Sequence, residues 1–168
     1  MNMKWYWKTG LLVVLVALMT SCTDAVKSVV GGYSYQIAKQ EVSIDDTIAA
    51  VLTSEIGALQ IEAYHDSVIL LTFNSLKGDV YTTTGILSND AITLAPFSRT
   101  LTITYTVSKE DFLRPTEKTL TETYNIDVSG EAEIHDETIH FALQYDGTGV
   151  SNDKKLMGKD ILMVAKRN

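Results

Sequence analysis

From Thr100 to Val107 the chain alternates without a break. Leu101, Ile103, Tyr105 and Val107 hold one parity, and Thr100, Thr102, Thr104 and Thr106 the other. Successive side chains of an extended strand point to opposite faces, so this segment buries one face and wets the other only as a β-strand. The pattern recurs along the chain: Tyr33, Tyr35 and Ile37; Leu59, Ile61 and Ala63; Val80 to Leu87; Ala91 to Ala95; Leu120, Tyr124, Ile126 and Val128; Ala132 with Ile134; Ile139, Phe141, Leu143 and Tyr145; and Ile161 to Ala165. Val68 to Phe73 is apolar apart from Thr72 and reads as a strand buried on both faces or central in its sheet.

Turn-forming pairs separate these runs: His65-Asp66, Lys77-Gly78-Asp79, Asn89-Asp90, Ser129-Gly130, Asp136-Glu137 and Asp146-Gly147. Connections this short force antiparallel neighbours. The expectation is an all-β fold, an antiparallel meander closing into a barrel of roughly eight to ten strands, with a β-sandwich as the alternative. One segment competes. Asp46–Ile56 opens with acids, spaces Ile48, Val51 and Leu52 helically and ends at Gly57, so one short helix is placed there against its Val, Ile and Thr content.

The N-terminus carries a different signal. Lys4 and Lys8 precede a nine-residue apolar run from Leu11 to Met19, followed by the small residues Thr20 and Ser21 and the chain's lone cysteine, Cys22. The run is too short to span a bilayer, which takes about 20 apolar residues. A charged start, a short apolar stretch and small residues before a cut make a secretory signal peptide. Residues 1–21 are read as that signal, 22–31 as a tether and 32–168 as a single β domain. Met19-Thr20-Ser21-Cys22 resembles the lipobox of bacterial lipoproteins, which implies cleavage before Cys22, a lipid on its sulfur and attachment to the membrane through that lipid. The alternative is an ordinary signal with an incidental cysteine. In lipoproteins an Asp after the cysteine commonly retains the protein at the inner membrane. Thr23 stands there instead and points to the outer membrane, on either its periplasmic or its cell-surface face.

The net charge is −7, and losing the two leader lysines makes the remainder more acidic still. That balance argues against nucleic acid, whose phosphates demand a basic face, and against electrostatic adsorption to anionic lipid. With one cysteine, no disulfide forms within a chain, and stability rests on packing.

Candidates for chemistry are few. His135 and His140 flank the turn at Asp136-Glu137, and with Glu133 they project from one strand face, a set able to bind zinc. A solvated strand face carries the same residue types, and the reading adopted is no metal. His65 beside Asp66 reads as turn polarity. Glu122 shares a parity with Leu120, Tyr124 and Ile126, so it is paired, lines a cavity or sits at the surface through a register slip; the surface reading is preferred. Ser108–Lys118 holds Phe112 and Leu113 in a charged loop, either a docking tip or, as preferred, a cap folded over one end of the core. Nucleophile-elbow, zinc-protease and P-loop motifs do not occur in the sequence, and Asp146-Gly147-Thr148-Gly149 lacks the ligand spacing of a calcium loop. The chain is read as not an enzyme and as needing no cofactor.

The lipobox-like leader, Gly31-Gly32-Tyr33, and the stretch from Val68 through Phe73-Asn74, Gly78-Asp79-Val80-Tyr81 and Leu94-Ala95-Pro96-Phe97 resemble the calycin-like, or lipocalin-like, lipoproteins of Gram-negative gut bacteria. That resemblance implies a closed or nearly closed antiparallel barrel and no particular catalytic activity. The expected function is a lipid-anchored envelope protein that binds a small apolar or amphipathic ligand, or a partner at the barrel rim. The alternative is a sandwich-type interaction lipoprotein in envelope assembly or adhesion. Tyr105, Tyr124 and Tyr145 discriminate: in a filled core their hydroxyls need local partners, whereas in a ligand cavity they line the wall.

Overall fold

The computed structural model describes residues 26–38, 40–109 and 116–168. Ten strands follow in order: β1 Gly31–Ile37, β2 Gln40–Ile44, β3 Ile48–Leu52, β4 Glu55–His65, β5 Val68–Ser75, β6 Val80–Ser88, β7 Ala91–Lys109, β8 Thr116–His135, β9 Thr138–Gly149 and β10 Lys155–Arg167. Neighbouring pairs are antiparallel, and β4 to β10 pair in sequence. Pairing of β1 with both β4 and β10 closes the ring at eight strands. Closure overturns the sandwich alternative, because no second sheet remains to pack against the first.

The remaining two strands extend the wall. β2 continues β1 along β10, with Val42 opposite Gly158 and Ile44 opposite Leu156. β3 returns beside β2 and leads into β4. The segment expected to be helical, Asp46–Ile56, is therefore a turn, β3 and the start of β4. Asp45 and Asp46 adopt positive φ (50° and 57°), and Ala50 and Leu52 turn inward while Ala49 and Val51 turn out. Short polar side chains tolerate the left-handed region that a hairpin needs, and the β-branched content that weakened the helix expectation decided the outcome. Asp66, Asn89 and Asp136 open three other hairpin turns in the same left-handed conformation.

Two expected turns are not turns. Ser129-Gly130 lies inside β8 and Asp146-Gly147 inside β9. These glycines serve close approach: a Cβ on Gly130 would stand 2.3 Å from the Ala142 carbonyl oxygen, and one on Gly147 would stand 2.4 Å from the Ile126 side chain. Val68–Phe73 is not buried on both faces either; Ile69, Leu71 and Phe73 are buried while Val68, Leu70 and Thr72 are half-exposed.

The interior is aromatic at mid-height. Phe73 stacks on Tyr81 (centroids 5.3 Å) and Phe97 (6.1 Å) and meets Tyr35 and Phe141 edge-on. The end where β1 starts is covered by a helical turn over residues 26–29. Val26 and Val29 join the core, and the Tyr33 hydroxyl donates to the Val29 carbonyl at 2.8 Å. Within the segment read as a tether, Val26 and Val29 are thus part of the packed structure. Cys22 and the leader lie outside the described residues, as do Phe112 and Leu113.

Candidate functional site

Above the aromatic layer, toward the end away from the helical turn, the barrel wall carries charge inside. β7 makes this possible. Its pairing with β6 covers only Ala91–Leu94, and a bulge between Leu94 and Phe97 shifts the register. Ile92 and Leu94 face inward before the bulge; Phe97, Arg99, Leu101, Ile103 and Tyr105 do so after it. Without the extra residue Arg99 would face water. The bulge is held by Thr83, whose buried hydroxyl donates to the Ala95 carbonyl at 2.7 Å.

Arg99 meets Glu55, the first residue of β4. Nη2 donates to Glu55 Oε2 at 2.7 Å, with the two side chains only 8% and 6% exposed. Arg99 Nη1 donates to the Tyr81 hydroxyl at 3.0 Å, and the guanidinium lies 4.7 Å over that ring. The hydroxyls of Tyr81 (2.6 Å) and Tyr35 (2.9 Å) both donate to Glu55 Oε1. Beside this group, the Tyr145 hydroxyl donates to Gln40 Oε1 at 3.0 Å.

Each group in the cluster is locked in one protonation state. Burial alone would raise the Glu55 carboxyl, but hydrogen bonds and charge from Arg99, helped by both tyrosines, hold it below its ordinary value. Burial works against the Arg99 charge, and Tyr81 and Glu55 more than restore it. Burial pushes Tyr35 and Tyr145 each up to about 12 and raises Tyr81 further, with Glu55 adding to each rise.

A cleft of about 310 Å³ opens onto this cluster. β3 is the last strand of its sheet, and beyond its bulge β7 pairs only with β8, so these two edges lie side by side without pairing. The polar part of the lining holds Gln40, Glu55 and Arg99 together with three threonines, the apolar part includes Leu52, Leu101 and Ile103, and Lys77 stands at the exposed side.

A second cluster ties the upper wall together. Glu122 faces inward, overturning the preference for a surface position. Its Oε2 accepts from Tyr105 (2.6 Å) and Tyr124 (2.7 Å), and its Oε1 accepts from Lys154 (2.8 Å). Burial acts to raise Glu122, yet these three donors bring it down to about 2. The hydrogen bond to Glu122 raises Lys154. All three discriminating tyrosines thus have local partners, as a filled core requires.

The histidines stay outside. His135 and His140 bring their rings to 5.0 Å, and His135 Nε2 lies 3.4 Å from Glu133 Oε2, all on exposed residues. Among the described residues no three such side chains converge as a metal-binding group. His65 contacts Asp66 at 3.0 Å on the exposed β4–β5 turn.

Sequence reasoning missed Glu55, Arg99, Gln40, Tyr81 and Lys154. For Arg99 a signal existed. Extending the alternation of Leu101, Ile103 and Tyr105 one step back reaches it.

No protein-family profile and no curated protein matches the chain. Among solved structures it is similar to a redesigned β-barrel, mFAP1, bound to DFHBI, at 10% identity over 85% of this chain and 98% of that one, with a TM-score of 0.35. A second redesigned β-barrel, b11L5F_LGL, matches at 10% identity over 86% and 95%, with a TM-score of 0.34. At that level of likeness nothing about ligand or activity passes to this chain. The barrel rests on its own strand register.

Proposed function

We propose that this protein is a non-catalytic binding barrel, tethered to the bacterial envelope through a lipid on Cys22, that takes a small amphipathic molecule into the cleft between β3 and β7. The observation that carries the binding reading is the cleft itself, where an apolar strip of Leu52, Leu101 and Ile103 leads down to the buried Glu55–Arg99 pair. Small-molecule sites combine apolar walls with a few well-placed polar groups in this way. The middle of the barrel is occupied by the stacked rings of Phe73, Tyr81 and Phe97, so the site is at the rim and not on the axis.

The locked protonation states support binding over catalysis. General acid–base work is best served by a group that titrates near the working pH. Glu55 is held ionised, and Tyr35 and Tyr145 are pushed up to about 12, so none of them exchanges protons readily near neutrality.

The tether reading rests on Lys4, Lys8, the Leu11–Met19 run and the lipobox-like Met19-Thr20-Ser21-Cys22, with Thr23 favouring the outer membrane. The helical turn supplies an orientation. It sits where β1 starts, while the cleft lies past the other end of that strand, at Gln40 and Glu55. An anchor at the N-terminus therefore leaves the cleft facing away from the membrane.

Native mass spectrometry of the full chain released from micelles tests the binding reading. A retained small molecule that is lost on filling the cleft by Leu101→Trp is expected; a bare mass under all release conditions counts against it. For the tether, Cys22→Ala is expected to abolish metabolic palmitate labelling, and persistent labelling would refute the anchor.

A further inference from the structure

The cleft is charged differently from the protein around it. The chain carries a net −7, yet the cleft lining holds two cations, Arg99 and Lys77, and one acid, Glu55. The acid is largely occupied, with three of about four acceptor sites taken: Oε1 accepts from Tyr35 and Tyr81, and Oε2 accepts from Arg99. Arg99 is less so. A guanidinium has five N–H donors, and its bonds to Glu55 and Tyr81 occupy two of them. Gln40 gives its carbonyl oxygen to Tyr145, leaving its NH₂ group as donor. Lys77, on the exposed turn after β5, spends one donor on the Thr53 hydroxyl at 3.3 Å. Among the charged and amide groups of the cleft the capacity left is therefore chiefly to donate, and their net charge is positive.

We propose that the occupant is a small organic anion with an apolar tail, its acid group met by Arg99 and Lys77 and its tail laid against Leu52, Leu101 and Ile103. This rests on the binding reading above and narrows it to one charge class. A neutral alcohol of the same length fits the apolar part of the lining but brings no anionic acceptor to Lys77 or to the donors Arg99 does not spend on Glu55 and Tyr81. An amine adds positive charge to a lining whose net charge is already positive. Donors on a cation are strongest toward an ionised acceptor, and a guanidinium matches a carboxylate in shape as well as charge.

The test uses the full chain in nonionic micelles, with micelle-only titrations subtracted. Hexanoate, hexanol and hexylamine are added in turn at neutral pH, and the methyl NMR shifts of Leu52, Leu101 and Ile103 are followed. Hexanoate is expected to bind about tenfold or more tightly than hexanol, to weaken as salt is raised, and to exclude hexylamine. Lys77→Gln alters an exposed residue and leaves the core intact; it should weaken hexanoate severalfold and leave hexanol unchanged. Hexanol binding as tightly as hexanoate overturns the anion inference and leaves the binding reading standing. Hexanoate binding that ignores both salt and Lys77→Gln also overturns it. If none of the three moves these methyl groups, both readings fall.

Discussion

Replacing Arg99 by Met removes a charge while keeping most of the side-chain stem in the wall. Glu55 then keeps two tyrosine donors on Oε1 but has nothing at Oε2, in a site where its side chain is 6% exposed. Removing one partner of a buried ion pair costs about 3–5 kcal/mol, because the other charge stays behind uncompensated. Against a domain stability of about 5–15 kcal/mol, that is about a fifth of the total or more. The penalty carries a pH signature. In the native protein Glu55 titrates below its ordinary 4.5, so its contribution is complete above that value and is lost as pH falls through the lower, folded-state value. In Arg99→Met, burial acts unopposed by the guanidinium and lifts the folded-state pKa above 4.5, so the variant regains stability as Glu55 takes up a proton. The stability gap therefore narrows as pH drops from 7 toward 4. Urea unfolding followed by circular dichroism at pH 7, 5.5 and 4 measures it. The double variant Glu55→Gln/Arg99→Met, which keeps an uncharged acceptor for both tyrosines, should recover most of the loss. A gap below about 1 kcal/mol at pH 7, or one constant across the pH range, would refute the account of this pair.

Thr83→Val removes the donor to the Ala95 carbonyl and should cost about 1–2 kcal/mol by thermal or urea unfolding, with the largest backbone shift changes at Ala95–Arg99. Phe73→Ala empties the centre of the aromatic layer and should cost about 3–5 kcal/mol, read from the same unfolding curves. Glu122 is held at about 2, so the native protein should lose stability as pH falls from 4.5 toward 2, and Glu122→Gln should lack that part of the slope while starting from a lower stability at pH 7.

The strands were legible because alternation is a local property, written residue by residue into Thr100–Val107 and Ile139–Tyr145. Hairpins opened by Asp66, Asn89 and Asp136 were legible for the same reason. What escaped was set by neighbours across the sheet. Ser129-Gly130 and Asp146-Gly147 have turn composition, but these two glycines approach β9 and β8 respectively, a demand no single strand displays. Arg99 was legible from the parity of Leu101, Ile103 and Tyr105; what no single strand displays is the bulge at Ala95-Pro96, held by Thr83 from the neighbouring strand, that sets this parity against that of Ile92 and Leu94. Glu55 escaped because it was assigned to a helix, whereas Ile48–Leu52 is a strand and Glu55 opens the next one. Glu122 was on the right parity, and only the positions of Tyr105, Tyr124 and Lys154 show that an inward carboxylate is fully partnered there.

β10 also governs the order of assembly. It forms the seam with β1, where Tyr33 pairs with Arg167, and it carries β2 on the same side. Residues 134 apart in sequence must meet before the ring exists, as when Arg167 donates to the Tyr33 hydroxyl. Local hairpins form in microseconds, while contacts this distant wait on the entropy of closing a long loop. Until β10 docks, β1 and β9 each present a bare edge, ready to pair with another molecule. The vulnerable interval in the life of this protein is thus the delay between its last hairpin and its closing seam, when the open sheet is most prone to aggregate or to need a chaperone.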